Sequence, residues 1–333
     1  MDFWTLGSII NKGKIKRMGN RATDSSSGGV AERKKRSYLV DFFVRLVREK
    51  PLGTFGLVVT LLLLLTGIFA DLIAPYGMNA AHTANLLEPP SAQFWLGTDN
   101  LGRDLLTRVI FGARVSVIVG LGASLLATVG STIIGILCGY LGGKFDLIMQ
   151  RAVDMWMCLP GLVIFIVIIS GVGAGMGSVI IVIGLSWSLI GSRIVRSAVI
   201  SIKENVYMQA AVAIGCSTNR ILIRHILPNI MAPTIILFTT RVPAAIMTEA
   251  SLSFLGFGIP APFPSWGGML SGAGRTYMYK APWIAIWPGL ALAIVVYGVN
   301  MFGDAMRDLL DPRLRGGAGR YGVRAKKEVN IKK

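Results

Sequence analysis

The chain has 333 residues, of which 53% are hydrophobic and only 15% are charged. Soluble domains usually carry about 25% charged residues, so this composition excludes an ordinary soluble protein. The net charge of +17 by itself suggests nucleic-acid binding. We reject that function because the cations are concentrated in alternate loops between apolar segments, a distribution that is typical of membrane proteins.

Six apolar segments predict six membrane-spanning helices and an all-α integral membrane fold. They cover residues 52–74, 116–141, 159–171, 178–190, 234–258 and 282–303. The third segment is shorter than the roughly 20 residues that a span requires, so we expect its helix to begin earlier, near Asp154. The first segment is too long and starts too late to be a cleaved signal peptide, which predicts a helix that stays in the membrane.

Lysines and arginines indicate which loops face the cytoplasm. Of the 34, 12 precede the first span, 2 lie between spans two and three, 5 lie between spans four and five, and 9 follow the last span. The three other loops together hold 5, and one cation, Arg241, lies inside span five. By the positive-inside rule, both termini and the polar loop 201–229 are predicted to be cytoplasmic.

These patterns divide the chain into four predicted regions. Residues 1–38 are a basic, disordered cytoplasmic tail whose charge favours contact with anionic membrane lipid. Residues 39–115 contain the first membrane helix and an external segment, residues 116–303 form a helical core with the cytoplasmic loop 201–229, and residues 304–333 are a second basic cytoplasmic tail.

The external segment begins polar and then becomes helix-like. Asp99 or Asn100 is predicted to cap a helix whose leucines, Leu101, Leu105 and Leu106, lie on the membrane surface. The charged residues Asp99, Arg103, Asp104 and Arg108 suggest either a metal or catalytic site, or ion pairs between residues four apart. We favour surface ion pairs, because that spacing places opposite charges side by side on a helix.

Small residues recur at every fourth position of span two. They are Ala123, Ala127, Ser131, Gly135, Gly139 and Gly143. A ridge of this kind lets a neighbouring helix approach closely, so it predicts tight helix packing rather than the lining of a pore.

The motifs of common enzymes are absent from the sequence. It contains no GxxxxGK[ST] loop for ATP phosphates, no HExxH and no GxSxG. Its three cysteines form no CxxC pair, and its two histidines are predicted on opposite sides of the membrane. The sequence therefore predicts no catalytic residue, no bound metal and no cofactor in this chain, which leaves transport as the function.

The polar loop between spans four and five is longer than a simple connection requires. It predicts two short helices, 206–214 and a second one that begins at Ser217 or Thr218 and stops before Pro228, with Gly215 at the turn between them. Ala210 and Ala211 give the first helix a small surface. This surface suits insertion into the groove of another protein, but an amphipathic elbow resting on lipid headgroups is an equally good interpretation.

The loop resembles the EAA loop of bacterial and archaeal ABC-importer permeases through Gln209-Ala210-Ala211, Gly215 and the run from His225 to Pro228. Four further stretches resemble the second permease of peptide and nickel importers, namely WLGTDNLGRD (95–104), EASLSFLG (249–256), PSWGGM (264–269) and DPRLR (311–315). The resemblance covers residues 45–315 in the same order. Gln209 replaces the usual glutamate, which removes a charge and puts any ionic contact through this position in doubt.

The resemblance implies a type I importer permease in the prokaryotic plasma membrane, with five core helices preceded by one N-terminal helix. The implied partners are a homologous permease, two ATP-binding subunits that hold ATP and magnesium, and an extracytoplasmic binding protein. The implied coupling residues are Gln209, Ala210, Ala211, Gly215, Arg220, His225 and Pro228. Peptides are the first substrate class, and nickel, metallophores or oligosaccharides are alternatives. A secondary transporter or channel without an ATPase is the alternative from a different class.

Three residues near or within span five are candidates for the translocation pathway. Arg241 and Glu249 are ionisable groups inside an apolar helix, where burial is costly, and Trp266 belongs to the resembling PSWGGM stretch. Arg241 either meets a substrate carboxylate or bonds a neighbouring carbonyl, and Glu249 either acts in transport or holds the outer half of the helix. For both residues we favour the structural role.

The charge distribution yields a topology test. Single cysteines introduced at Ser217 and Ser271 should be labelled by membrane-impermeant reagents from the inside and from the outside, respectively, because the intervening span reverses the side. Labelling of both positions from one side would contradict the six-span topology.

Overall fold

In the computed structural model, residues 38–310 are described, with side chains from residue 44 onward. Internal contacts divide the chain into residues 1–41 and 42–333, and all packing reported below lies within the second unit. The predicted basic tails and the DPRLR stretch at 311–315 lie outside the described residues, apart from the helical start of the C-terminal tail at 304–310.

The described chain is helical, and its only β-structure is two isolated bridges in the segment before residue 105. The helices are α1 (Tyr38–Glu49), α2 (Pro51–Ile68), α3 (Ala70–Ile73), α4 (Leu105–Leu141), α5 (Gly143–Met157), α6 (Gly161–Val172), α7 (Met176–Lys203), α8 (Val206–Ala213), α9 (Thr218–Arg220), a π-helical segment (Ile221–Ile226), α10 (Leu227–Asn229), α11 (Met231–Phe254), α12 (Trp266–Ser271), α13 (Ala273–Tyr277) and α14 (Trp283–Leu310).

Five of these helices, α2, α4, α7, α11 and α14, are individually long and apolar enough to cross a membrane. The third predicted span corresponds to α5 and α6, which meet at a 93° bend. Our expectation of one helix starting near Asp154 is therefore wrong. The break falls at residues 158–160, where Pro160 disfavours helical geometry in the residue before it and begins a new helix.

The parallel contact between α4 and α7 confirms the close packing predicted from the small residues. A Cβ added to Gly135 would lie 2.7 Å from the carbonyl oxygen of Ser192, and one added to Gly139 would lie 2.8 Å from the Cβ of Val199. Gly143 is the exception: it lies beyond the end of α4, and no atom comes within 4 Å of its added Cβ. Backbone contact at this range requires glycine. The small residues at every fourth position of α4 therefore explain why α4 and α7 pack so closely.

The remaining spans assemble around this pair. Helix α11 packs on α4, where Val242 and Ile246 join a core cluster with Trp266. Helices α2 and α14 contribute to the same cluster, and Gly56 of α2 lies against the backbone of α14 at Gly298. The end of the bundle at which α7 passes into α8 is called the loop end below. Residue 141 of α4 belongs to the same end, because Lys203 donates a hydrogen bond to the carbonyl of Tyr140.

The external segment differs from the prediction. Helix α4 begins at Leu105 and is capped by Asp104, whose carboxylate accepts the Thr107 backbone N–H at 2.8 Å. Asp99 and Arg103 do form the expected ion pair, at 2.7 Å, but Asp99 is buried. Leu105 is also fully buried. The predicted surface helix and surface ion pairs are therefore wrong, because the preceding loop folds over this segment and removes it from the surface.

A single methyl group tests the contact between α4 and α7. Gly135→Ala should destabilise the protein by about 1–3 kcal/mol, since the added Cβ meets backbone that cannot move independently. Gly171→Ala in α6 is the matched control, because nothing lies within 4 Å of its Cβ and alanine favours a helix. Thermal unfolding of the purified chain should show a lower Tm for Gly135→Ala only.

Candidate functional site

The loop between α7 and α11 forms two helical pieces, as predicted. Helix α8 covers Val206–Ala213, and the chain then turns at Gly215, whose φ of +76° is in the left-handed region that glycine tolerates. Ser217 occupies the cap position of the second piece, although its side chain makes no capping hydrogen bond. The predicted turn and start are confirmed.

The second piece ends later than predicted. It continues from α9 through the π-helical segment into α10 and includes Pro228. The π-type hydrogen bonds end with the Leu227 N–H bonded to the Leu222 carbonyl. Pro228 follows directly in the first turn of α10, where the hydrogen-bond pattern changes from π-type to α-type.

The predicted coupling residues divide into outward-facing and inward-facing groups. Gln209, Ala210, Gly215, Arg220 and Pro228 are exposed, His225 is half-buried, and Ala211 is only 7% exposed. The expectation that both alanines present a small surface to a partner is wrong for Ala211, which packs inside the chain itself. The Gln209 amide donates a 3.4 Å hydrogen bond to the Glu204 carbonyl, so it folds back toward the start of its own helix.

Sequence reasoning missed the exposed apolar side chains of this loop. Val206 is 80% exposed and Ile214 is 79% exposed, and Tyr207, Val212 and Ile223 are exposed as well. The number of large apolar residues in an otherwise polar loop was the sequence feature that could have predicted this exposed apolar surface. Because α8 buries only Met208 and Ala211, its other apolar residues form an exposed apolar surface.

The loop is attached firmly to the membrane helices. Met208 of α8 and Ile221 and Ile226 of the π-helical segment share one core cluster with Val199 of α7 and Leu237 of α11. These residues are buried to at least nine-tenths of their surface. The loop is therefore joined to two spans through close-packed side chains.

Arg241 joins three spans. Its Nη2 donates to the carbonyl of Trp187 at 2.8 Å, and its Nη1 donates to Ser131 Oγ at 3.1 Å, which links α11 to α7 and α4. Gly191 provides the space, because any side chain there would collide with the guanidinium group. Ser131 in turn donates to the Ser188 carbonyl. This geometry favours a structural role for Arg241.

Glu249 is also enclosed by its own chain. It is 1% exposed, and its carboxyl Oε1 accepts the Ser253 hydroxyl at 2.7 Å. Ser253 Oγ also accepts the backbone N–H of Ile259 at 3.2 Å. The carboxyl group thus holds the end of α11 against the loop that follows it. This geometry favours the structural role of Glu249 over a role in transport.

Trp266 is buried rather than exposed to a pathway. Its indole Nε1 donates to the Val109 carbonyl at 3.0 Å, and the ring lies over Gly112 of α4. Ser265 caps α12 by accepting the Gly268 N–H at 3.0 Å. Trp266 therefore fixes the short helix α12 against α4.

Residues 38–310 contain no cluster of three or more histidine, cysteine or acidic side chains arranged to bind a metal ion. The described loop instead presents exposed apolar side chains on α8 and a packed cluster beneath them.

Two family models match the chain. The model for the binding-protein-dependent transport system inner membrane component matches residues 131–316. The model for the N-terminal transmembrane domain of oligopeptide transport permease C matches residues 37–90. Together they cover both the core that carries the loop and the preceding N-terminal helix.

Several curated relatives are similar over most of their length. A dipeptide transport system permease protein of Alkalihalophilus pseudofirmus is 38% identical over 81% of this chain and 88% of its own. An oligopeptide transport system permease protein of Bacillus subtilis is 37% identical over 80% and 88%. A glutathione transport system permease protein of Escherichia coli is 37% identical over 82% and 90%.

The contacts of Arg241 predict how its loss affects the protein. Arg241→Met removes two hydrogen bonds from a charged donor, each worth about 1.5–3 kcal/mol, and should lower the Tm. Uptake of peptides with a free carboxylate and of their amidated analogues should fall equally. Gly191→Ala, which keeps the charge but displaces the guanidinium group, should reproduce this pattern. A selective loss of free-carboxylate substrates at unchanged Tm would instead assign Arg241 to substrate recognition.

Proposed function

Because this chain belongs to the family of binding-protein-dependent transport system inner membrane components, we propose that it forms half of a peptide translocation pathway. The family is one of ABC-importer permeases of the peptide type, multi-pass proteins of the inner membrane, and it is not a family of enzymes. The other half of the pathway is a homologous permease, so the two chains act as a heterodimer.

The observation that carries the proposal is the exposed apolar surface of α8. Val206 and Ile214 are four-fifths exposed on a helix whose opposite side is locked into the bundle. A helix presented in this way suits a hydrophobic groove on a partner. We assign that groove to an ATP-binding subunit, with Gln209, Ala210, Gly215, Arg220, His225 and Pro228 forming or supporting the contact and Ala211 holding α8 in place.

In the proposed cycle, two ATP-binding subunits bind ATP and magnesium and close on each other. Their movement displaces α8, and the core cluster around Met208 passes the displacement to α7 and α11. Access to the pathway then alternates between the two sides of the membrane. An extracytoplasmic binding protein delivers the substrate, so this chain itself needs no cofactor.

We infer the substrate class from the relatives, which are named as dipeptide, oligopeptide and glutathione permeases. A peptide is therefore favoured over nickel, metallophores or oligosaccharides. The loop end is assigned to the cytoplasm, together with both termini, on the cation distribution alone.

Val206→Asp tests the docking of α8. Val206 is exposed and stands in the first turn of α8, where a carboxylate interacts favourably with the helix dipole, so the isolated chain should fold normally. On docking, the unpaired charge would be buried at a cost of roughly 2–5 kcal/mol. Co-purification of the ATP-binding subunits and substrate-stimulated ATP hydrolysis should both fall at least tenfold.

Leu72→Asp is the matched control, because Leu72 is equally exposed on α3, away from the loop. This control should retain both activities. Gly215→Val should behave like Val206→Asp, since a β-branched residue resists a φ of +76°. Ala211→Asp is not diagnostic, because the charge would be buried in the chain's own core. Normal coupling in Val206→Asp would favour the alternative in which α8 rests on lipid headgroups.

A further inference from the structure

Helix α5 lies across the bundle rather than along it. Its neighbour α6 runs along α7, since Phe165 and Ile169 of α6 pack in one cluster with Val179 and Ile183 of α7. Because α5 is bent by 93° from α6, it cannot follow the same direction. Helix α6 therefore runs along the bundle, and α5 lies across its end.

Two ion pairs between α5 and α7 support this orientation. Asp146 accepts two hydrogen bonds from Arg196, at 2.6 and 2.5 Å, and Asp154 pairs with Arg193. The two aspartates are eight residues apart on α5, about 12 Å, whereas the arginines are three residues apart on α7, about 4.5 Å. Helices that ran side by side would have partners at equal spacing, so these two helices cross steeply.

The polar and apolar faces of α5 are reversed relative to a surface helix of a soluble protein. The face with Asp146 and Asp154 is turned inward, onto the arginines of α7. The opposite face carries Phe145, Ile148 and Met155, which are 42%, 68% and 67% exposed. Such a helix needs an apolar environment on its outer side.

The level of α5 matches the edge of the hydrocarbon layer. Helix α7 has no charged residue from Met176 to Ser192, a length of ~25 Å, and the first cation after this stretch is Arg193. A hydrocarbon core is about 30 Å thick, so the ion pairs with α5 lie where acyl chains give way to headgroups.

The free charge of α5 is positive. Its two aspartates are neutralised by Arg196 and Arg193, whereas Lys144 and Arg151 are exposed on one flank of the apolar face, two helical turns apart. Arg151 also contacts Asp154 at 3.5 Å, but that carboxylate is shared with Arg193. Two cations beside an apolar face are complementary to the phosphate and the acyl chains of an acidic phospholipid.

We propose that α5 is an interfacial lipid-binding helix, with Phe145, Ile148 and Met155 inserted among acyl chains and Lys144 and Arg151 bound to the headgroups of acidic phospholipids. The two arginines of α7 hold α5 in this position through Asp146 and Asp154. The proposal does not depend on the substrate or on the docking of α8, because it rests on the surroundings of α5 alone.

A label on α5 can report which lipid surrounds it. In the full chain with Cys158 and Cys216 replaced by serine and buried Cys138 retained, an environment-sensitive fluorophore is attached at Ile148→Cys. The protein is reconstituted in phosphatidylcholine vesicles containing equal small fractions of brominated phosphatidylglycerol or brominated phosphatidylcholine. We expect both brominated lipids to quench the fluorophore. Phosphatidylglycerol should be enriched about fivefold around the label, because one cation near an anionic headgroup raises the local lipid concentration by about that factor.

The enrichment should disappear in K144Q/R151Q, while quenching by brominated phosphatidylcholine persists. The matched control R48Q/R307Q removes two exposed cations from the ends of α1 and α14 and should keep the enrichment. An equal loss in the control would assign the enrichment to net charge and overturn the site.

Three further results would also overturn the proposal. Absence of quenching by either brominated lipid would place the apolar face outside the bilayer. Loss of quenching when the partner permease is added would show that a protein covers this face. Abolition of the enrichment by inorganic phosphate, with phosphatidylcholine quenching unchanged, would assign Lys144 and Arg151 to a soluble anion.

Discussion

The close approach of α4 and α7 is the constraint on which the rest of the structure depends. Glycines at 135 and 139 bring the two backbones into contact, and this contact fixes the distance across which Arg241 of α11 reaches both helices. In an apolar solvent, helices gain little from burying hydrophobic surface, so their association relies on close packing and on hydrogen bonds between helices. Both sources of stability meet at Gly191, where the lack of a side chain admits the guanidinium group.

The ionisable groups of the interior are used to join elements. Arg241 bonds two neighbouring helices, and Glu249 bonds the serine one turn later, which in turn holds the returning loop. Trp266 joins α12 to α4, because its indole N–H donates a hydrogen bond to the Val109 carbonyl. A buried charge is tolerated only when its hydrogen-bonding groups are satisfied, and in a single chain these three residues are satisfied by their own neighbours.

Helices α8 and α5 are each packed on one side and exposed on the other. The inner side of α8 is packed into α7 and α11 through Met208, while Val206 and Ile214 are four-fifths exposed. Helix α5 repeats this division with charges inward and apolar groups outward. An outer face of this kind is stable only in a matching environment, which is a protein groove for α8 and lipid for α5 in the functions proposed above.

The sequence by itself determined the all-helical membrane fold, the small-residue contact and the glycine turn at Gly215, because hydropathy, four-residue periodicity and backbone conformation are local properties. The family was also recognisable from short motifs, and the comparisons confirm it. Tertiary structure alone decided which side of each element is covered. Asp99, Ala211 and Trp266 are buried, and Trp266 is covered by Val109 and Gly112, which lie more than 150 residues away in the chain. Pro160 marks the break between α5 and α6 locally, but the side of α5 that faces α7 is fixed by Arg193 and Arg196, and no local pattern specifies partners 39 and 50 residues away.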